Sequence, residues 1–363
     1  MADRTSKSKK LRKRDVLIYL AAIAAVFVIV IIAAQIIERI SLRASEIERR
    51  EDSEKEKPTS QFVPPDDSFL SDDGVPENLR ETDPDDISTM MTGKYNNNIK
   101  NIVFIGVDKQ ELVESDYYRS GGQSDVIIIF SMNLKTKEYF MLSINRDLAV
   151  PVENYNYDGS SYGVVDEQIA LAYAYGDGAR PSGRNVIKSL NWLLGSDMKF
   201  LGFIAAPIPI VSTLADAVGG VEVTIEDDFS GVDDTLVMGE KVNLKGKQAE
   251  TFVRARMSMK ESNTNSLRMN RQIVFMEAFM KKMKSSMSTD DLINMYSDVI
   301  DMVNTDMGRA DITKWMLNCY NYTFKGTYRI DGVEGEWLHD ARCTYYDVDE
   351  VAALVQELYY IEK

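Results

Sequence analysis

Ile102-Val103-Phe104-Ile105-Gly106-Val107 is an unbroken apolar run rich in β-branched residues, and Asp125-Val126-Ile127-Ile128-Ile129-Phe130-Ser131-Met132-Asn133 is a second. A third, Glu138-Tyr139-Phe140-Met141-Leu142-Ser143-Ile144-Asn145, follows after four residues. Continuous runs of this length, without polar alternation, read as strands buried on both faces. The link Leu134-Lys135-Thr136-Lys137 is short enough to close a hairpin. Apolar spacing near 3.6 predicts helices over 165–176 and 181–194, then a strand over 199–205, a helix over 207–218 and a strand over 220–225. Helices over 246–257 and 265–285 follow, and 289–363 reads as two helices, a small β element around 327–345 and a last helix over 348–360. Strands interleaved with helices in this order predict an α/β domain, a sheet covered by helices on both faces.

Toward the N-terminus the character changes. Residues 1–15 hold Arg4, Lys7, Lys9, Lys10, Arg12, Lys13 and Arg14 against only Asp3 and Asp15. The 22 residues 16–37 carry no charge. As a helix they would run about 33 Å, enough for a hydrocarbon core of about 30 Å. The run is too long for the apolar core of a cleaved signal, and no small-x-small cleavage site follows. It reads as one transmembrane helix in the cell membrane, its basic flank cytoplasmic and the rest of the chain extracytoplasmic. Residues 38–98 are polar, with Pro58, Pro64, Pro65, Pro76 and Pro84, and read as an acidic stalk. The compact domain is then 99–285, with 286–363 as a C-terminal extension.

Composition narrows the chemistry. The 363 residues carry net charge −15, so the part beyond the anchor lacks the basic footprint of a nucleic-acid binder. With one histidine, any Ser-His-Asp or Cys-His set would have to use His339, and zinc needs more ligands than exist here. Carboxylates, arginines and a hard metal ion remain. Cys319 and Cys343 read either as a disulfide or as two buried thiols, and their spacing leaves both open.

Arg254, Arg256, Arg268 and Arg271 fall within 18 residues, followed by Gln272. Arg268, Arg271 and Gln272 have i, i+3, i+4 helical spacing. Guanidinium forks brought together make a site for phosphate or carboxylate groups, whereas surface arginines paired with local acids are the competing reading. Asp108 follows the first strand, Asp125 opens the second and Arg146-Asp147 ends the third, where ligands collect in open α/β sheets. Two such carboxylates, without His or Cys nearby, suit Mg²⁺ bound together with substrate phosphates. The loop between them, with Tyr117, Tyr118, Arg119, Gly121 and Gly122, could serve as a lid. Tyr173, Tyr175, Trp192, Leu193 and Phe203 read as core in preference to a ligand tunnel.

The order of anchor, stalk, Asn101-Ile102-Val103-Phe104-Ile105-Gly106-Val107-Asp108, Ser124-Asp125, Ser143-Ile144-Asn145-Arg146-Asp147, Phe252-Val253-Arg254-Ala255-Arg256 and Leu267-Arg268-Met269-Asn270-Arg271-Gln272 resembles the LytR-CpsA-Psr family of cell-wall proteins, over 101–279. The resemblance implies a central mixed β-sheet flanked by helices, with a hydrophobic pocket for a polyprenyl chain. It implies a membrane-anchored phosphotransferase that moves a glycopolymer, of wall teichoic acid or capsule type, from a polyprenyl-pyrophosphate carrier to a peptidoglycan acceptor. Asp108 and Asp125 would then hold Mg²⁺, Arg146, Asp147, Arg254 and Arg256 would be catalytic, and Arg268 and Gln272 would contact phosphate beside Arg271. Four positions depart from the family pattern. Gln123 stands for an Arg, which Arg119 is a candidate to replace, Asn145 for a Pro, Gln168 for a Lys and Asn265 for an acid. These departures leave the general base unassigned and admit a second reading, a non-catalytic protein that binds polyprenyl-linked intermediates or scaffolds envelope assembly. A phosphatase with water as acceptor is a third.

Overall fold

The computed structural model describes residues 84–255, 265–338 and 341–361. The expected basic segment, the expected transmembrane helix over 16–37 and most of the expected stalk lie outside these residues. Among the described residues no helix is long and apolar enough to cross a membrane.

Helix α1 (Pro84–Met90) and strand β1 (Lys94–Tyr95) lead into β2 (Ile99–Val107), β3 (Ser124–Asn133) and β4 (Glu138–Ile144). The hairpin β5 (Ala149–Tyr155) and β6 (Ser161–Gln168) precedes α2 (Ala170–Ala174), α3 (Arg180–Leu194), β7 (Phe200–Pro207), α4 (Ile210–Ala217), β8 (Val221–Thr224) and β9 (Lys241–Leu244). Then come α5 (Gly246–Arg254), α6 (Asn265–Ser286), α7 (Thr289–Val299), β10 (Asn304–Thr305), α8 (Arg309–Asn321), β11 (Thr323–Ile330), β12 (Val333–Leu338), β13 (Ala341–Tyr345), α9 (Val348–Tyr359) and β14 (Tyr360–Ile361).

Six strands form the central sheet in the order β10-β7-β2-β3-β4-β11. The sheet is mixed. β2 pairs antiparallel with β3 and β3 with β4, while β2–β7 and β4–β11 are parallel. The three apolar runs are its central strands, and the period of two sorts their side chains cleanly. Val103, Ile105, Ile127, Ile129, Leu142 and Ile144 enter one core with α3 and α9. Ile102, Ile128, Phe130, Met132, Tyr139 and Met141 enter the other with α5, α6, α7 and α8. Helices therefore cover both faces, as the alternation of elements predicts.

Three boundaries differ from the sequence reading. Residues 165–168 are strand, because β6 pairs antiparallel with β5 and the helix begins only at Ala170. The fold takes in residues expected in the stalk: Ile87 of α1 is fully buried, and β1 pairs with β14 at the far end of the chain. The extension completes the sheet, since β11 is its outer strand beside β4, and Tyr359 of α9 is buried with its hydroxyl 2.9 Å from that of Ser131. Cys319 and Cys343 are buried free thiols in separate clusters, which realises the second of the two readings.

Candidate active site

The ends of β2, β3 and β4 and the facing ends of α5 and α6 bring charged side chains together. β2 stops at Val107, and the Asp108 amide donates to the Gln123 carbonyl (3.0 Å), which ties the strand end to the start of β3. Asp125 is the second residue of β3. Arg146 follows β4 in a turn and Arg268 lies in the first turn of α6. Both converge on Asp125. Arg146 Nη1 donates to Asp125 Oδ1, and Arg268 Nη1 donates to Oδ2 at 2.9 Å. Both arginines are buried, 8% and 4% exposed. Across the opening, Arg254 at the end of α5 donates to Asp108 Oδ1 and to Glu250 Oε1, each at 3.2 Å. Glu250 is buried and also accepts from Lys247 at 2.6 Å.

Arg146 is held from behind. Its Nε donates to Asp147 Oδ1 (3.0 Å) and its Nη2 to Gln123 Oε1 (2.8 Å). Gln168 Nε2 donates to the same Asp147 oxygen (3.1 Å) and to the Arg342 carbonyl (2.8 Å). Asn145 Oδ1 accepts from the Asp147 amide (3.0 Å), while its Nδ2 donates to the Asp331 carbonyl (2.6 Å). Three neutral amides thus surround one ion pair, and the C-terminal extension supplies three of their acceptors, the Asp331 and Arg342 carbonyls and the Thr344 hydroxyl.

These charges stand at the mouth of a cavity of about 560 Å³. Its mouth carries Asp108, Gln123, Asp125, Arg146, Arg254, Arg268 and Gln272. Its wall is apolar, with Phe104, Val126, Ile128, Val211, Leu214, Phe275 and Met276 from one face of the sheet and from α4 and α6. A carboxylate with each oxygen on a separate guanidinium occupies the kind of position a phosphate takes, since both anions suit the same forks. Asp108 and Asp125 also offer hard oxygen donors at one opening. Two carboxylates completed by phosphate oxygens and water are a donor set that fits Mg²⁺. Among the described residues no group of three or more His, Cys, Asp or Glu side chains could hold a metal without such help.

A profile of the LytR_cpsA_psr family matches residues 71–356. The chain belongs to the LytR-CpsA-Psr family. It is 26% identical over 251 residues, covering 69% of this chain and 74% of the relative, to the polyisoprenyl-teichoic acid–peptidoglycan teichoic acid transferase TagU of Enterococcus faecalis. The TagU of Oceanobacillus iheyensis is 27% identical over 248 residues, covering 66% and 68%. Among solved structures, TagV of B. subtilis superposes with a TM-score of 0.56 at 19% identity, covering 72% of this chain and 97% of that one. TagT bound to LIIa-WTA superposes with a TM-score of 0.52 at 19% identity, covering 74% and 94%. These two likenesses establish the mixed α/β fold, and the family match reaches beyond 101–279 at both ends.

In this LytR-CpsA-Psr chain the structure gathers Asp108, Asp125, Arg146, Arg254, Arg268 and Gln272 at one opening. Arg256 lies outside the described residues. Asp147 does not line the cavity and acts on it through Arg146. Arg119 is elsewhere. Its Nη1 donates to Asn154 Oδ1 and the Tyr155 carbonyl (3.1 Å each), and its guanidinium lies 4.4 Å from the Tyr175 ring centroid. It therefore does not stand in for a cation at position 123, whose Gln amide already engages Arg146. Arg271 is a brace. It donates to the Phe252 carbonyl (2.8 Å), to the Ala255 carbonyl and to Asp227, which joins α6 to the end of α5 outside the cavity. Tyr173, Tyr175, Leu193 and Phe203 are core on the opposite side of the sheet. Sequence reasoning missed Glu250, although its i, i+4 spacing to Arg254 is visible, and missed the residues of the apolar wall, which come from four separate segments.

Proposed function

We propose that this protein transfers a glycopolymer from a polyprenyl-pyrophosphate carrier to peptidoglycan, as a membrane-anchored enzyme with its folded domain outside the cytoplasm. The observation that carries the reading is the convergence of Arg146 and Arg268 on Asp125 at the mouth of an apolar cavity. An isoprenoid chain gains by burial against such a wall, at about 25 cal/mol per Å² of apolar surface removed from water. A pyrophosphate joined to it would then reach the guanidinium groups. TagU is named for transfer of teichoic acid to peptidoglycan, and that relation motivates an acidic glycopolymer of wall teichoic acid or capsule type here.

In this reading Arg146 and Arg268 exchange their hold on Asp125 for phosphate oxygens, and Arg254 contributes from the facing helix. All three sit where negative charge grows as the acceptor hydroxyl attacks phosphorus and polyprenyl phosphate leaves. Mg²⁺ bound at Asp108 and Asp125 would offset charge on the pyrophosphate. Asp147 and the amides of Asn145 and Gln168 keep the Arg146 fork in place from outside the cavity, and the Gln123 amide does so from its lining. The test is release of polyprenyl phosphate from a polyprenyl-pyrophosphate sugar by the full-length chain with Mg²⁺, beside Asp125→Ala. Release that requires both supports the reading, and equal release by the variant sinks it.

A further inference from the structure

Glu250 is a carboxylate that neither packing nor the cavity wall requires. It lies mid-way along α5 with its side chain 5% exposed, and it lines the cavity beside Val211, Leu214 and Val253. A charge buried there costs desolvation, and an apolar side chain of similar volume is often as stable or more so. Its partners do not need it to stay solvated. The Lys247 and Arg254 side chains are 75% and 43% exposed and reach water themselves. Stability and the burial of an isoprenoid chain would therefore both be served by an apolar residue at 250.

The contacts of the carboxylate give it a different task. Oε1 accepts from Arg254 Nη1 at 3.2 Å and from Lys247 Nζ at 2.6 Å. Oε2 stands 3.5 Å from Ser212 Oγ on α4, and Ser212 also donates to the Gly246 carbonyl at the start of α5 (3.0 Å). Glu250 is thus placed by two helices. Arg254 is the last residue of α5, and a long side chain this open has many rotamers unless something holds it. Its second arm, Nη2, meets Asp108 Oδ1 at 3.2 Å, in a pair half open to solvent.

We propose that Glu250 is a positioning residue, which anchors one arm of the Arg254 guanidinium so that the other arm faces the phosphate site. The proposal rests on the transferase reading above, in which Nη2 gives up Asp108 for a phosphate oxygen while Nη1 stays on Glu250. Lys247 complements the anchor. Two cations share one carboxylate, so the group keeps a net positive charge and still attracts an anion.

The test is a double-mutant cycle of Glu250→Leu and Arg254→Ala in the full-length chain, in detergent. It is read as the Kd for inorganic pyrophosphate with Mg²⁺, by titration calorimetry, and as Tm. Glu250→Leu should weaken binding about tenfold and leave Tm within about 4 °C of the parent or above it. In the Arg254→Ala background the same change should cost less than about twofold, because its effect passes through the guanidinium. A merely structural role would instead lower Tm and weaken binding alike in both backgrounds. Parent-like affinity of Glu250→Leu overturns the anchor, as does an equal loss in both backgrounds or a fall in Tm well beyond about 4 °C. The expected cycle in a chain that never releases polyprenyl phosphate would remove the transferase reading and leave the anchor standing. A parent that binds no pyrophosphate would overturn both.

Discussion

Arg254→Ala should separate catalysis from stability. The Arg254 side chain is 43% exposed and faces Asp108, itself 50% exposed, at 3.2 Å. A pair this open to solvent contributes about 0–1 kcal/mol. Its other partner is more demanding, because Glu250 is 5% exposed and would be costly to leave alone. Lys247 stays 2.6 Å from Glu250, however, so that carboxylate keeps a cation. The expected loss is therefore about 1 kcal/mol, or about 2–4 °C in Tm for a fold of this size. Removing one donor aimed at developing charge costs about 10²- to 10³-fold in turnover. The assay pairs calorimetric Tm with the initial rate of polyprenyl phosphate release by the full-length chain. A rate within about threefold of the parent would refute the role given to Arg254, because it means less than about 1 kcal/mol of transition-state stabilisation. A fall in Tm well beyond about 4 °C would refute the claim that the residue is structurally dispensable.

Three further outcomes follow from particular contacts. Leu214→Trp adds bulk to the cavity wall and should raise KM for a long-chain polyprenyl donor at least about tenfold more than for a short-chain one, measured as steady-state rates with both donors. Equal effects on the two would mean the chain binds elsewhere. Arg271→Ala should destabilise the fold by about 3 kcal/mol in urea unfolding, because Asp227, 18% exposed, loses its partner and two carbonyls lose theirs. A shift below about 1 kcal/mol would remove the brace. Burial pushes the Cys319 thiol up to about 12, and burial together with the Asp147 charge pushes Cys343 up to about 11. At pH 8 fewer than about one thiol in a thousand is then thiolate, so a disulfide exchange reagent should label neither until the chain is unfolded. Rapid labelling of either in the native protein would contradict the burial.

What could be read from the chain and what could not divides along physical lines. β2, β3 and β4 are continuous apolar runs, a pattern that needs no knowledge of partners. Asp108, Asp125, Arg146 and Arg268 were recoverable because they sit at or near the ends of such runs or at a helix start. β11 was not placed in the central sheet, since its pairing with β4 joins segments nearly two hundred residues apart. β6 was misread because its valines run into the alanines of α2 and mimic a helical stripe. Arg268 and Arg271 share a nominal helix face, yet three residues leave them about 60° apart around the axis. That angle sends one into the cavity and the other to Asp227. Arg119 was misplaced for a different reason: a single left-handed φ turns it toward Tyr175.

The central claim is transfer to peptidoglycan, and it is tested most directly by following a labelled glycopolymer from a polyprenyl-pyrophosphate donor onto purified sacculi. The full-length chain and Mg²⁺ are supplied, and Asp125→Ala serves as control. The account predicts label that sediments with the sacculi, is released by phosphodiester cleavage and is absent with the variant. Label recovered only as free glycopolymer phosphate would contradict it, because water would then be the acceptor.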